Sequence, residues 1–481
     1  MKLLDLTKNL KVKKIVGDTD VDVKEVCFNH KTATKGSLYV CLKGNSFDGH
    51  EYVKQAEDYG AIAVITEREI DCIATQIIVE NSRIALNRVS AEFYGRCDEK
   101  MKIVGVTGTN GKTSTSHVIK TILDNADIKC GVIGTLGAYY DDVYIEQNLT
   151  TPDPIELHKI FKNMYDAGVK VVVMEVSAHA LYLSKTEVIN YEIGVFTNLT
   201  QDHLDFFKDM DEYKKAKLKL FSQKKCKYAV VNADDKVGRE IYSMRKNVIS
   251  YGLLNPADAF AIDVRETDRG SSFILNLLDV ICEIKLKLIG NFNVYNAICG
   301  CCVCYILGVS IEKIVEGVSK IHCVSGRLEL VYNDKIKIYV DYAHTPDGLE
   351  KSLLALRKIC KNKLISIFGC GGNRDREKRA LMGEISGKLA DFTVVTTDNP
   401  RFEEPMEIIS NVEKGVKKVT DKYVLIQDRE QAIKYAIEHA NKGDVLLVAG
   451  KGSERYQEIL GIKQTYNDKD TIIKVLKGNI K

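Results

Sequence analysis

The chain has 481 residues, 45% hydrophobic and 28% charged, a composition ordinary for globular proteins but too long for one core and suited to three domains of about 150 residues each. Its 69 basic and 66 acidic side chains leave a net charge of +3, which argues against bulk electrostatic binding of nucleic acid or of a membrane surface. No apolar run reaches the roughly 18 residues that a membrane-spanning helix needs.

The first 14 residues, MKLLDLTKNLKVKK, interrupt every apolar stretch with charge, so no signal peptide is expected there. Residues 1–98 alternate short elements, with strands expected at 37–42 and 61–66 and a helix at 84–94. Residues 99–325 begin with the apolar run 103–107, which passes into Gly108, Thr109, Asn110, Gly111, Lys112, Thr113 and Ser114, and then into a helix over 114–123. Strand, glycine turn, Lys-Thr and helix in that order suit a nucleoside triphosphate. Glycines let backbone N–H groups approach phosphate, Lys112 neutralises the β/γ-phosphates, and the Thr113 hydroxyl is placed to ligate Mg²⁺. Val106 stands where the longer form of this motif has glycine, so only the shortened GTNGKT is present.

Further strands are expected at 169–176, 194–198 and 228–232. Glu175, at the end of the first, is a candidate Mg²⁺ ligand. His203, in Asp202-His-Leu-Asp205, reads as a metal ligand, a phosphate contact or a satisfied polar residue, and imidazole is not a preferred Mg²⁺ ligand. Lys214, Lys215, Lys217 and Lys219 crowd one helix, and spacing does not choose among them. The 14 cysteines are scattered and read as reduced thiols. Cys299, Cys301, Cys302 and Cys304 contain two C-x-x-C spacings but no second pair at finger spacing, so 296–307 reads as a buried helix of small residues rather than a zinc site.

Residues 326–481 repeat the alternation more regularly, with strands expected at 336–341, 364–368, 392–396, 423–427 and 445–449. Four of their ends carry polar or glycine-rich loops: DYAHTP at 341–346, GCGGNRD at 369–375, DNPR at 398–401 and GKGSE at 450–454. Ligands bind at such strand ends in parallel α/β sheets. Arg374 stands where a dinucleotide fingerprint needs its last glycine, which weakens a dehydrogenase reading. Arg374 and Arg401 are placed to grip a carboxylate through the guanidinium fork. Pro152, Pro154, Pro346, Pro400 and Pro405, five of the six prolines, fall in these candidate site loops. The expected fold is α/β with three domains, 1–98, 99–325 and 326–481. The central domain would hold a P-loop-type, mostly parallel sheet, and the C-terminal one a Rossmann-like doubly wound sheet.

These motifs together resemble the Mur ligase family, ATP-dependent amide-forming synthetases of peptidoglycan precursors. The similarity runs nearly end to end through GTNGKTS (108–114), LTTPDP (149–154), MEVSAHAL (174–181), TNLTQDHLDF (197–206), GNFNVYNA (290–297), SGRLE (325–329), DYAHTPD (341–347), GCGGNRDREKR (369–379), DNPR (398–401) and AGKGSE (449–454). It is greatest to the member that adds the third amino acid. That resemblance implies a cytoplasmic, monomeric enzyme using ATP and Mg²⁺, with UDP-N-acetylmuramoyl-L-Ala-D-Glu and meso-diaminopimelate as its other substrates. It implies Asn29 and the 37–44 segment ending at Gly44 near the UDP, and Thr150, Thr151, Ser177 and Lys185 on the muramoyl-dipeptide. Asn29 replaces a common serine, and Lys185 an arginine of some relatives. Lys217 would be carbamylated and, with Thr113, Glu175 and His203, would organise Mg²⁺. Asn293, Asn296, Arg327, Asp341 and His344 would surround ATP. Arg374, Asp398, Asn399, Pro400, Arg401, Gly450 and Glu454 would hold the amino acid. Ala178 and Ser453 replace a serine and a histidine common in the family. The DNPR motif favours diaminopimelate over L-lysine, because Arg401 would otherwise be left a buried, unpaired cation. A lysine-adding ligase, a folate polyglutamate ligase, a zinc-bearing amidating relative and a non-catalytic relative are the alternatives.

Overall fold

The computed structural model describes residues 1–44 and 47–478. The chain forms two compact units and passes repeatedly between them: Met1–Thr107, Ile128–Gly194 and Ala216–Ala229 make the first, and Gly108–Asp127, Val195–Lys215 and Val230–Lys481 the second.

The first unit contains a five-stranded sheet in the order Val12–Val16, Thr75–Val79, Ala61–Thr66, Ser37–Val40, Glu25–Cys27, parallel except for the antiparallel edge strand Val12–Val16. Strand Ser37–Val40 is buried throughout. Leu38 and Val40 enter one apolar cluster and Tyr39 another, as the period of two requires when both faces are covered. Further along this unit, Lys102–Thr107, Val171–Glu175 and Cys130–Gly134 lie parallel. Gly137–Tyr140 and Val143–Ile145 extend them as an antiparallel meander.

In the second unit, Val248–Gly252 and Ala259–Thr267 are parallel, followed by the antiparallel strands Gly270–Leu277 and Val280–Leu286. The expected mostly parallel centre therefore carries two meanders. Period-two patterns joined by short turns fold back on themselves, with no helix between them to carry a parallel crossover. Helix Lys112–Asn125 packs on helix Asn291–Ile306. A Cβ at Gly300 would strike Val118, so small residues permit this close approach, and Cys299, Cys301, Cys302 and Cys304 are all buried on the same helix.

The six-stranded C-terminal sheet has the order Glu329–Asn333, Lys337–Asp341, Val445–Ala449, Leu364–Phe368, Phe392–Val395, Tyr423–Leu425. Only the first strand is antiparallel. The last long strand inserts between the second and the third, so register aligns Asp341, Ala449, Phe368 and Val395 side by side. Ile338, Val340, Leu446 and Val448 feed one core, and Tyr339, Val445 and Leu447 the other. Pro154, Pro346 and Pro405 prove to be opening residues of helices rather than loop residues, where the missing N–H costs nothing.

Candidate active site

In the second unit the phosphate-type loop is built on glycine backbones. Gly108 and Gly111 have φ of +148° and +87°, and a side chain at Gly108 would strike the Thr197 hydroxyl. The loop is anchored through Asn198, whose carbonyl accepts from Thr109 N at 2.9 Å and whose Oδ1 accepts from Asn110 N at 2.9 Å. Lys112 Nζ donates to the carbonyls of Gly108 (2.9 Å) and Thr109 (2.8 Å), folding the ammonium over the turn. The Thr113 hydroxyl accepts from Arg327 Nη2 at 2.9 Å, and the Arg327 guanidinium lies 4.2 Å over the Tyr342 ring. Thr115 donates to Asn296 Oδ1 at 3.2 Å, while Asn296 donates to Asn293. Thus Arg327, Asn293 and Asn296, all far along the chain from it, gather around the start of helix Lys112–Asn125. Ser114 is buried in its first turn.

Asp341 closes its strand with Oδ1 accepting from Ala343 N at 2.7 Å and Oδ2 from Leu328 N, and burial raises its carboxyl. His344 presents Nε2 3.8 Å from Asp202, which also lies 3.3 Å from His203 Nε2 and 3.6 Å from Lys378 Nζ. Burial opposes ionisation of Asp202, but His344, Lys378 and His203 outweigh it and hold the carboxyl well below the usual range. His203 is thus partnered by a carboxylate, and its φ is +58°. Asp202 and Lys378 were absent from the sequence-based site. A polar residue beside a candidate ligand was the only signal for Asp202.

The four aligned strand ends form one cradle. Asn399 Nδ2 donates to Glu454 Oε2 at 3.0 Å. Lys451, fully buried, donates to both Asn399 Oδ1 (2.9 Å) and Glu454 Oε2 (2.8 Å). A Cβ on Gly450 (φ +114°) would lie 2.5 Å from Asp398 Oδ2, and one on Gly372 would strike the Pro400 carbonyl. Arg374 and Arg401 flank Gly371, but they do not wait unpaired: Arg374 lies 3.6 Å from Asp205, and Arg401 Nε lies 3.2 Å from Glu458 Oε2. The expectation that Arg401 is a buried cation lacking a partner is therefore corrected, because a carboxylate of the chain itself already occupies one edge of its fork. Lys451 and Glu458 were missed, since single charges in a polar loop carry no periodic signal.

In the first unit Glu175, 1% exposed, accepts from Thr135 N and Thr135 Oγ1 at 3.0 Å each, and Thr135 in turn meets the Thr150 hydroxyl at 3.2 Å. Thr151 Oγ1 donates to the Glu175 carbonyl at 2.8 Å and accepts from Ser177 N at 3.0 Å. Ser177 caps helix Ala178–Tyr182, and Lys185 pairs with Asp153 at 2.8 Å. Glu175, Thr150, Thr151 and Ser177 therefore form one hydroxyl-rich cluster. Of the four crowded lysines only Lys217 is buried, at 2%. Asn29 is exposed and caps the short turn His30–Thr32, and Gly44 is likewise exposed. The four expected metal ligands divide between the units, Glu175 and Lys217 in the first, Thr113 and His203 in the second. The Thr113 hydroxyl and the Glu175 carboxylate are hard oxygen donors suited to Mg²⁺, whereas His203 offers only imidazole nitrogen and Lys217 only an amine.

Residues 106–304 match the Mur ligase middle domain, 326–452 the Mur ligase glutamate ligase domain, and 26–94 the Mur ligase family catalytic domain. The chain is 41% identical over 483 residues to the UDP-N-acetylmuramoyl-L-alanyl-D-glutamate–2,6-diaminopimelate ligase of Alkaliphilus oremlandii, covering 99% of each chain. It is 41% identical over 479 residues to UDP-N-acetylmuramoyl-L-alanyl-D-glutamate–2,6-diaminopimelate ligase 1 of Clostridium acetobutylicum, covering 98% of each. A solved structure of a UDP-N-acetylmuramoyl-L-alanyl-D-glutamate–2,6-diaminopimelate ligase superposes with a TM-score of 0.70 at 28% identity, over 100% of this chain and 99% of that one.

Proposed function

The chain belongs to the Mur ligase family, and from that premise we propose that it is the ATP-dependent, ADP-forming ligase joining meso-diaminopimelate to UDP-N-acetylmuramoyl-L-alanyl-D-glutamate in peptidoglycan precursor synthesis. The observation that carries the site reading is the alignment of Asp341, Ala449, Phe368 and Val395, whose loops bring Asn399, Arg401 and Glu454 to one sheet edge. The three-domain division at 98 and 325, a cytoplasmic location and a monomeric state belong to the same proposal.

A carboxylate is a poor acyl donor. Transfer of the γ-phosphoryl of ATP to the D-glutamate side-chain carboxylate makes an acyl phosphate. Attack by the amine then forms the amide and expels phosphate. Lys112, held over the turn by two carbonyls, exchanges those neutral partners for phosphate oxygens and stabilises charge on the transferring group. Arg327, Asn293, Asn296, Asp341 and His344 line the nucleotide, while Asn29, Gly44, Thr150, Thr151, Ser177 and Lys185 bind the UDP-linked acceptor. Thr113, Glu175, His203 and Lys217 would hold Mg²⁺, which when bound neutralises phosphate charge. Lys217 is buried, and conversion of its amine by CO₂ to a carbamate would supply an oxygen donor in place of a cation. Arg374, Asp398, Asn399, Pro400, Arg401, Gly450 and Glu454 orient the amino acid, with Arg401 on the distal carboxylate that diaminopimelate has and lysine lacks.

The test is phosphate release from ATP with the UDP-linked dipeptide and, in parallel, meso-diaminopimelate, L-lysine or no amino acid, with products weighed. Tripeptide formation with diaminopimelate alone is expected. Equal use of lysine would overturn the specificity and keep the ligase. No release with any amine would overturn both.

A further inference from the structure

Arg401 is the residue on which amino-acid choice turns in the proposed function, and the inference here rests on that reading. Its backbone has φ of +52°, a left-handed conformation uncommon for a non-glycine residue. The hairpin of Tyr456–Ile459 and Ile462–Thr465, a two-stranded sheet outside the six-stranded one, holds it there. Arg401 N donates to the Glu458 carbonyl at 3.0 Å, and Leu460 N donates to the Arg401 carbonyl at 2.7 Å. Next to these, Glu458 N donates to Asn399 Oδ1 at 2.9 Å and Gln457 Nε2 to the Asp398 carbonyl at 2.7 Å. The hairpin thus grips Asp398, Asn399 and Arg401 in succession. The side chain is fixed as well. Glu458 Oε2 lies 3.2 Å from Nε, and Nη1 donates to the Gly372 carbonyl at 2.8 Å. Nε thus faces the Glu458 carboxylate, and Nη1 is held by the Gly372 carbonyl.

We propose that Glu458 is a positioning residue that sets selectivity for an amino acid bearing a second carboxylate. It pins one edge of the Arg401 guanidinium so that only the opposite edge is offered to substrate. A free arginine on a flexible stem attracts any nearby anion. An arginine whose plane is already fixed from the Nε side gains little from a loosely placed carboxylate and much from one that meets its free nitrogens in a set geometry. The internal carboxylate thereby turns a general cation into a geometric filter. Glu458 needs no contact with substrate to do this.

The experiment compares kcat and KM for meso-diaminopimelate and L-lysine in the full chain carrying Glu458→Ala, Glu458→Gln or Arg401→Ala, with thermal unfolding as a check on folding. Glu458→Ala is expected to lower the diaminopimelate-to-lysine ratio of kcat/KM by about tenfold or more through KM for diaminopimelate, with KM for ATP and for the UDP-linked acceptor within about twofold of the parent. Glu458→Gln, which keeps the side chain's length and a polar oxygen to set opposite Nε, is expected to keep most of the ratio. An unchanged ratio in Glu458→Ala, or a loss spread equally over all three substrates, would overturn the proposal. So would Glu458→Gln behaving like Glu458→Ala, which would make charge rather than position the cause. The Arg401→Ala arm separates this from the underlying reading: if that variant leaves the ratio unchanged, it is the role of Arg401 itself that fails.

Discussion

The glycine loop at 108–111 and the cradle proposed to hold the amino acid lie at strand ends but keep their charges in different ways. Lys112 is held by two backbone carbonyls, neutral partners that a phosphate oxygen readily replaces. In the cradle, Arg401 has Glu458, Glu454 has Lys451, and Asn399 lies between them. A ligand entering the loop meets an ammonium held in part by backbone carbonyls. A ligand entering the cradle must compete with charges of the chain itself. On the proposed roles, the first arrangement would favour tight binding of a polyphosphate, whereas the second would give up affinity for discrimination.

The largest effect expected on this contrast is at the base of the cradle. Arg429 and Asp468, both fully buried, form a paired bridge at 2.8 Å, and Arg429 also donates to the carbonyls of Thr397 (3.3 Å) and Ala449 (2.9 Å), beside the loops at 398 and 450. Asp468→Ala leaves a buried cation without its carboxylate and should cost about 3–5 kcal/mol, read as a lowered midpoint in denaturant. A midpoint within about 0.5 kcal/mol of the parent would show that the cradle does not depend on paired charge.

Lys112→Ala comes next. It should lower kcat by about 100- to 1000-fold while the protein stays folded and KM for the amino acid stays near that of the parent. Parental turnover would sink the assignment of the loop.

Asp98, in the first unit, is a buried carboxyl whose Oδ1 finds no hydrogen-bond partner. It lies 3.6 Å from His158, outside hydrogen-bond reach, and burial pushes its carboxyl up from 3.8 to about 6. A raised carboxyl contributes stability that is present below pH ~4 and is lost as pH rises through ~6. Asp98→Asn, which stays neutral, should therefore be more stable than the parent at pH 7, by at most about 3 kcal/mol, with the gap closing by pH ~4. Burial pulls His158 down to about 3, which carries the opposite slope, but His158 is common to both proteins and cancels in the difference. Melting curves across that range decide it, and equal midpoints at pH 7 would refute the account.

The smallest effect belongs to Lys451→Met. With Asn399 and Glu454 losing their shared donor, KM for the amino acid should rise about tenfold and KM for ATP should not move. A matching rise in both would mean that Lys451 supports the whole sheet edge and not the cradle alone.

Much of this architecture is legible in the amino-acid sequence. Strands 61–66, 364–368 and 445–449 fall where the apolar runs place them, because a buried parallel strand needs a continuous apolar run and a turn at each end. The loops at 341, 369, 398 and 450 are equally plain, since polar and glycine residues right after such runs mark the turns in which buried strands end. The meanders at 137–145 and 259–286 are less plain, as alternating patterns leave the pairing direction open.

Composition and motif order, by themselves, determined an α/β chain with a nucleotide-type loop and a polar edge at the C-terminal sheet, because period, glycine placement and Lys-Thr spacing are local properties of the chain. Only the tertiary structure decided which lysine of the four on one helix is buried, that Glu458 occupies one edge of Arg401, and that Lys451 sits beneath Asn399 and Glu454. Those facts depend on which loops register puts side by side. An ion pair between loops distant along the chain leaves no periodic trace in either of them.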